Sequence, residues 1–398
     1  MSETRSTTGK RKTAKRLDQI PPYLFQRIDD MKEKARASGL EITSLGIGDP
    51  DLPAPDELID ELYAQAKINE NQKYPDYKGS LEFRTAVANF YQRRFCAALD
   101  PVTEVLALIG SKEGLAHLAL AVLDPEDIVI APDPGYPVYA MTAVFAGCEC
   151  YKTPLLEQNN FLVDFSSIPD EVCERAKLIW MNYPNNPTGS VAPVEFFEEA
   201  VAWARKWDVV IAHDNPYSEI YTDLPIPPSL LSVKGGKESG IEFNSLSKMF
   251  NMTGFRIGMA VGNAEIIDAL ARVKSNVDSG VFRAVQKMGV KALRSDMESV
   301  AKLRDVYRSR RKVVEETLEE AGYDVYKGHG TFYVWIKTPK GITSADFVGQ
   351  VIEKTGIVMG PGSGWGVHGE GYFRICLTRD EETLRNAIAR IVDLFPAE

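Results

Sequence analysis

The chain has 398 residues, room for two domains of ordinary size, with 44% apolar and 26% charged residues and a formal net charge of −10. No apolar run approaches the ~20 residues that a membrane helix requires, and the acidic balance argues against nucleic acid as a main partner. Five cysteines without C-x-x-C spacing and four scattered histidines argue against a disulfide framework and a metal site, and point to a reducing cytoplasm.

Residues 1–20 read as a disordered basic arm, with five basic side chains between Lys10 and Arg16 and no apolar stretch of the kind a secretory signal needs. Residues 21–55 read as a segment joining a small domain, 56–290 as a large domain and 291–398 as a small α+β domain. From about Leu81 to Val261 helical patterns (Phe83, Val87, Phe90, Tyr91; then Phe196, Phe197, Ala200, Val201, Ala204) alternate with short apolar runs. The runs Val105–Ile109, Ile128–Ile130, Leu178–Met181, Val209–Ala212, Ile241–Asn244 and Gly258–Val261 have the look of buried strands. Such alternation predicts an α/β fold with a mostly parallel sheet flanked by helices. A long helical stretch to Ala321 follows, then strand-like pieces at Thr331–Ile336 and Tyr372–Leu377.

Polar motifs recur just after these runs, where open α/β sheets bind ligands. Gly110-Ser111-Lys112-Glu113-Gly114 opens a helix, and its N–H groups and dipole suit an anion, though an ordinary Ser cap explains the same residues. In Asp133-Pro134-Gly135-Tyr136-Pro137-Val138-Tyr139, Tyr136 either stacks on a flat heterocycle or packs in a turn. Tyr183-Pro184-Asn185-Asn186-Pro187-Thr188-Gly189 has turn composition, and Asn186 also offers an amide to a phenolate-like oxygen. In Asp214-Asn215-Pro216-Tyr217, the aspartate either caps a helix or keeps a pyridine nitrogen protonated, with Tyr217 sharing the phenolate oxygen. Ser245-Leu246-Ser247-Lys248, with Arg256 eight residues on, combines an amine able to condense with an aldehyde and donors for a phosphate. Arg374, inside the apolar strand Gly371–Cys376, needs an anionic partner: a structural carboxylate or a substrate's α-carboxylate.

One ligand satisfies all of these motifs at once: pyridoxal 5′-phosphate. In their order and combination they resemble the class I and II (fold-type I) pyridoxal-phosphate-dependent aminotransferases, over nearly everything from Pro21 to the C-terminus. The resemblance implies that Lys248 is the Schiff-base lysine, Asp214 the pyridine partner, Asn186 and Tyr217 the ligands of the ring oxygen, and Tyr136 the stacking aromatic. Ser111, Lys112, Ser245, Ser247 and Arg256 then form the phosphate cup, and Arg374 holds the α-carboxylate. Gly48, in Gly46-Ile47-Gly48-Asp49-Pro50, matches backbone lying against the substrate. Tyr74 matches a tyrosine lent by a neighbouring subunit to the phosphate, which implies a homodimer with shared sites.

The reaction so implied moves an amino group between an amino acid and a 2-oxo acid by ping-pong kinetics. Several stretches, among them Tyr74–Gly79, Ile109–Gly114 and Lys274–Phe282, are similar to LL-diaminopimelate aminotransferases of the shorter bacterial and archaeal kind, with 2-oxoglutarate as the expected acceptor. The distal arginine that aspartate aminotransferases take from their partner falls near Ala271, with Arg272, Lys274 and Arg283 close by. Alternatives are an alanine, aspartate or aromatic aminotransferase, or a β-lyase on the same scaffold. A pyridoxal-dependent transcription regulator would need more residues before Pro21 than the chain has.

Overall fold

The computed structural model describes residues 12–20, 24–222 and 225–397. Its centre is a seven-stranded sheet. Across the sheet the strands run Val105–Leu108, Gly258–Gly262, Gly240–Ser245, Val210–Asp214, Ala176–Asn182, Ile128–Asp133 and Glu149–Pro154. Only Gly258–Gly262 lies antiparallel to its neighbours. The others are parallel, as expected for strands whose apolar runs are buried on both faces. The apolar runs became strands, and several extend by a polar residue or two at their C-terminal ends, which is where the motifs sit.

The Glu149–Pro154 strand was not expected. It is a half-exposed edge whose sequence, Glu-Cys-Tyr-Lys-Thr-Pro, carries no apolar run.

Helices cover both faces. Leu81–Phe95 and Val194–Trp207 bury Phe83, Phe90, Tyr91, Phe196 and Phe197 in one core. Ser111–Val122 and Ala264–Val277 bury Leu115, Leu118, Ile267 and Leu270 in another on the opposite face. A third core lies around the antiparallel sheet Gly360–Pro361, Tyr372–Cys376, Tyr333–Lys337 and Val325–Tyr326. Thr43–Ser44 pairs in parallel with Ile357–Val358, and Ala35 and Leu45 belong to this third core.

Two boundaries differ from the sequence reading. The passage from large to small core falls within the Glu298–Glu320 helix, where Val300 belongs to the first and Leu303 to the second. Position 290 lies inside the Arg283–Arg294 helix, whose Ala292 and Leu293 still pack in the large core. Part of the expected disordered arm, Lys15–Gln19, forms an exposed 3-10 turn, and Arg16 donates to the Phe145 carbonyl at 3.3 Å; residues 1–11 lie outside the described residues. Among the described residues, no helix is long and apolar enough to cross a membrane.

Candidate active site

Parallel strands deliver their C-terminal ends to one edge, so Asp214, which ends its strand, and Asn186 and Lys248, which follow theirs, come from three direct neighbours in the sheet. Arg256 reaches the same edge by the opposite route. It precedes Gly258–Gly262, the antiparallel strand, and therefore enters where its neighbours leave.

Lys248 follows Ser245, which caps the short Leu246–Met249 helix by accepting from the Ser247 N–H at 3.2 Å. The Lys248 ammonium donates to the Gly48 carbonyl at 2.9 Å. Burial disfavours its charged form and lowers its pKa from the ordinary 10.5 to about 8. Labelling of the apoprotein by an aldehyde plus reductant should therefore rise through a midpoint of about pH 8, since the neutral amine is the nucleophile. A midpoint of about 10 would mean a solvated lysine.

Asp214 is buried, with Oδ2 accepting from the Tyr139 hydroxyl at 2.7 Å. Its Oδ1 is buried without a partner. Desolvation raises its pKa to about 6, against the opposing pull of Tyr139 and His213. Tyr139, whose own pKa burial and Asp214 drive well upward, stacks on Trp180 at 5.3 Å and meets Tyr136 edge-on at 5.8 Å. The Lys112 ammonium lies 5.8 Å from the half-buried Tyr136 ring. Tyr217 shares a 2.9 Å hydrogen bond with Tyr333, whose hydroxyl packs so close to Gly48 that a Cβ there would sit 2.1 Å away.

Arg374, 3% exposed, donates to Asn186 Oδ1 and to the Gly46 carbonyl, both at 2.7 Å. Its Nε is buried and unpartnered, and no carboxylate stands among these partners. The guanidinium packs against the rings of Tyr333 and Trp365, 4.0 and 4.3 Å from their centres.

Ser111 begins a twelve-residue helix behind Gly110. Gly110 has φ +74°, and a Cβ on it would lie 2.2 Å from Arg256 Nη2. The exposed Arg256 is itself held by the carbonyls of Thr253 and Ile109, at 2.9 and 3.5 Å. Gly110→Ala should displace that guanidinium and weaken cofactor binding by about tenfold. Equilibrium dialysis measures this, and unchanged affinity would put the phosphate elsewhere.

Tyr74 stands apart, 82% exposed, its carbonyl accepting from Arg283 at 2.6 Å. Two of the cations near Ala271 are engaged: Arg283 as described, and Lys274 between Glu113 and Asp278 at 2.8 and 2.7 Å. His117 completes a close group with those two carboxylates. Sequence reasoning assigned no role to Tyr139, Tyr333, Trp365 or the Gly46 carbonyl. Tyr139 and Gly46 lie inside motifs given above and Tyr333 inside an expected strand, while Trp365 carried no signal at all.

The model of the aminotransferase class I and II family matches residues 41–391. The chain belongs to that family. It is a pyridoxal-phosphate-dependent transaminase of fold type I. The aminotransferase is 53% identical over 379 residues to the LL-diaminopimelate aminotransferase of Aquifex aeolicus, a match covering 95% of this chain and 98% of that one. It is 51% identical to the Moorella thermoacetica enzyme of the same name, over 95% and 97% of the two chains. Among solved structures, substrate-bound BacF from Bacillus subtilis superposes with a TM-score of 0.93 at 34% identity, over 97% and 98%.

The site fits the family's cofactor on its own terms. The unpartnered Asp214 oxygen wants a cationic N–H, the lysine amine is poised to be neutral, and the helix start with Arg256 wants an anion.

Proposed function

We propose that this aminotransferase is an LL-diaminopimelate:2-oxoglutarate aminotransferase of lysine biosynthesis, acting as a cytoplasmic homodimer. The observation that carries the substrate is the near full-length likeness to enzymes of that name at 47–53% identity. The five cysteines, all free, support the compartment, and the exposed Tyr74 ring, in a position to serve a second copy, supports the dimer.

Asp214 Oδ1 would meet the cofactor's ring nitrogen, Asn186 and Tyr217 its ring oxygen, and Tyr136 its face. Ser111, Lys112, Ser245, Ser247 and Arg256 would hold the phosphate, with Tyr74 contributed from the partner. When bound, pyridoxal phosphate supplies an aldehyde that captures the amino group and a ring that spreads the charge left at the α-carbon. Arg374 orients the substrate by its α-carboxylate, offering the free Nε–H and exchanging the Asn186 contact for the anion. Gly48 lies along the substrate with its carbonyl turned to Lys248. The Lys248 amine would take the proton from the substrate α-carbon and return it across the nitrogen, at the carbon that was the cofactor's aldehyde, which its lowered pKa favours.

A single-turnover spectrum tests the reading. The loaded enzyme is mixed in turn with LL-diaminopimelate, glutamate, aspartate, alanine and phenylalanine, without oxo acid. Fast conversion of the bound cofactor by LL-diaminopimelate and glutamate alone is the expected result. Equal conversion by the others would move the enzyme to general amino-acid metabolism, and release of pyruvate with ammonia from a cystathionine-like substrate would mark a β-lyase.

A further inference from the structure

We propose that Asp133 is a positioning residue for substrate-carboxylate capture, acting on Arg374 through Trp365. The proposal rests on the reading of Arg374 as the carboxylate clamp. Asp133 ends the Ile128–Asp133 strand of the large sheet and is 1% exposed. Its carboxylate reaches the segment that leads into the Tyr372–Cys376 strand of the smaller sheet. Oδ1 accepts from the His368 N–H at 2.9 Å and Oδ2 from the Val367 N–H at 3.2 Å. The basic side chains that face it are Lys152, with Nζ at 3.9 Å, and His368, with Nδ1 at 3.6 Å. Two backbone donors from consecutive residues make a strong, directional hold on a buried carboxylate. Gly366 shows how tight the fit is, since a Cβ there would lie 2.1 Å from Asp133 Oδ1.

Two residues before this hold stands Trp365. Its carbonyl accepts from the Gly135 N–H, two residues beyond Asp133, at 2.9 Å. Its ring meets Trp335 edge-on at 5.9 Å and covers Gly360, where a Cβ would come within 2.4 Å of it. The same ring packs 4.3 Å from the Arg374 guanidinium. Backbone on one side and rings on the other thus fix Trp365, and Trp365 together with Tyr333 fixes the plane of the guanidinium. A planar fork held in advance loses less freedom when it grips a carboxylate. Asp133 is the point at which the large sheet sets that plane. Because neither Asp133 nor Trp365 is bonded to Lys248, loosening them should change capture and not proton transfer.

The test uses Asp133→Asn, Trp365→Phe, the double variant and Arg374→Ala, all loaded with pyridoxal phosphate. Calorimetry measures binding of pimelate, a seven-carbon dicarboxylate with no amino group to react, and steady-state kinetics give KM and kcat for the amino donor. Asp133→Asn and Trp365→Phe should each weaken pimelate binding and raise KM by about tenfold, with kcat within about threefold. The double variant should be little worse than either single one, because both changes act along one path. Strictly additive losses, a fall in kcat with KM unchanged, or a loss with Arg374→Ala but none with Asp133→Asn would overturn the proposal. Unchanged pimelate binding in Arg374→Ala would instead overturn the clamp itself. Trp365→Phe leaves the carboxylate and its backbone donors in place, so the ring can still be judged if Asp133→Asn folds poorly.

Discussion

Lys248→Ala is expected to lower transamination by roughly 10⁴-fold or more, since on the proposed assignment it removes both the covalent attachment point and the proton carrier. The fold should survive. The side chain gives up one hydrogen bond, to the Gly48 carbonyl at 2.9 Å, worth about 1 kcal/mol. Against that loss, the variant no longer buries an amine whose charged form the fold disfavours. Borohydride reduction and mass spectrometry should find no covalent cofactor, while dialysis should still find it bound through Asp214 and the phosphate donors. A variant that keeps turnover within about tenfold of the parent would rule out Lys248 as the amine that does the chemistry.

Asp214→Asn should cost about 10³-fold in rate, because an amide in place of the anion cannot hold a proton on the ring nitrogen. The exchange is nearly isosteric and leaves the Tyr139 hydroxyl an acceptor, so packing is not the cause. The pH behaviour separates charge from shape. Burial raises the carboxyl pKa from 3.8 to about 6, so between those values the folded apoprotein binds more protons than the unfolded chain. For this group, stability of the apoprotein therefore falls as pH rises from about 4 to 6, by a total on the order of 3 kcal/mol. A cation beside Oδ1 reverses the trend by favouring the ionised form. Cofactor affinity of the parent apoprotein should accordingly drop below about pH 6, while that of Asp214→Asn stays flat. Parallel profiles for the two proteins would show that the carboxylate does not meet the ring nitrogen.

The sheet was readable because burial on both faces writes strands such as Leu178–Met181 as unbroken apolar runs, and the polar residues after them stand out. Lys248, Asp214 and Asn186 were singled out that way, and they lie at one edge of the sheet. Glu149–Pro154 was not, since an edge strand half in water carries no such run. Tyr333 and Trp365 were hidden for the opposite reason. An aromatic beside an apolar strand reads as core, and nothing local reveals that Trp335 pairs across the sheet with Arg374 and so brings Tyr333 and Trp365 to its guanidinium. Tyr139 lay within a quoted motif, yet its bond to Asp214 spans 75 residues of sequence. The boundary near residue 290 was misplaced because one continuous helix, Glu298–Glu320, serves both cores and its pattern does not change where the cores do.

The pairing of Thr43–Ser44 with Ile357–Val358 has a consequence for how the molecule is made. The two strands are more than 300 residues apart, so the Gly46 and Gly48 carbonyls cannot take their places until almost the whole chain has left the ribosome. Through most of synthesis, at ~5–20 residues per second, that early segment waits for its partner strand. The large sheet, whose strands all lie between Val105 and Gly262, has no such wait and can form while translation continues. Lys248 is therefore housed before Arg374 and the Gly46 carbonyl it meets, and a nascent chain halted short of residue 357 would carry the proposed amine and lack the proposed means to aim an amino acid at it.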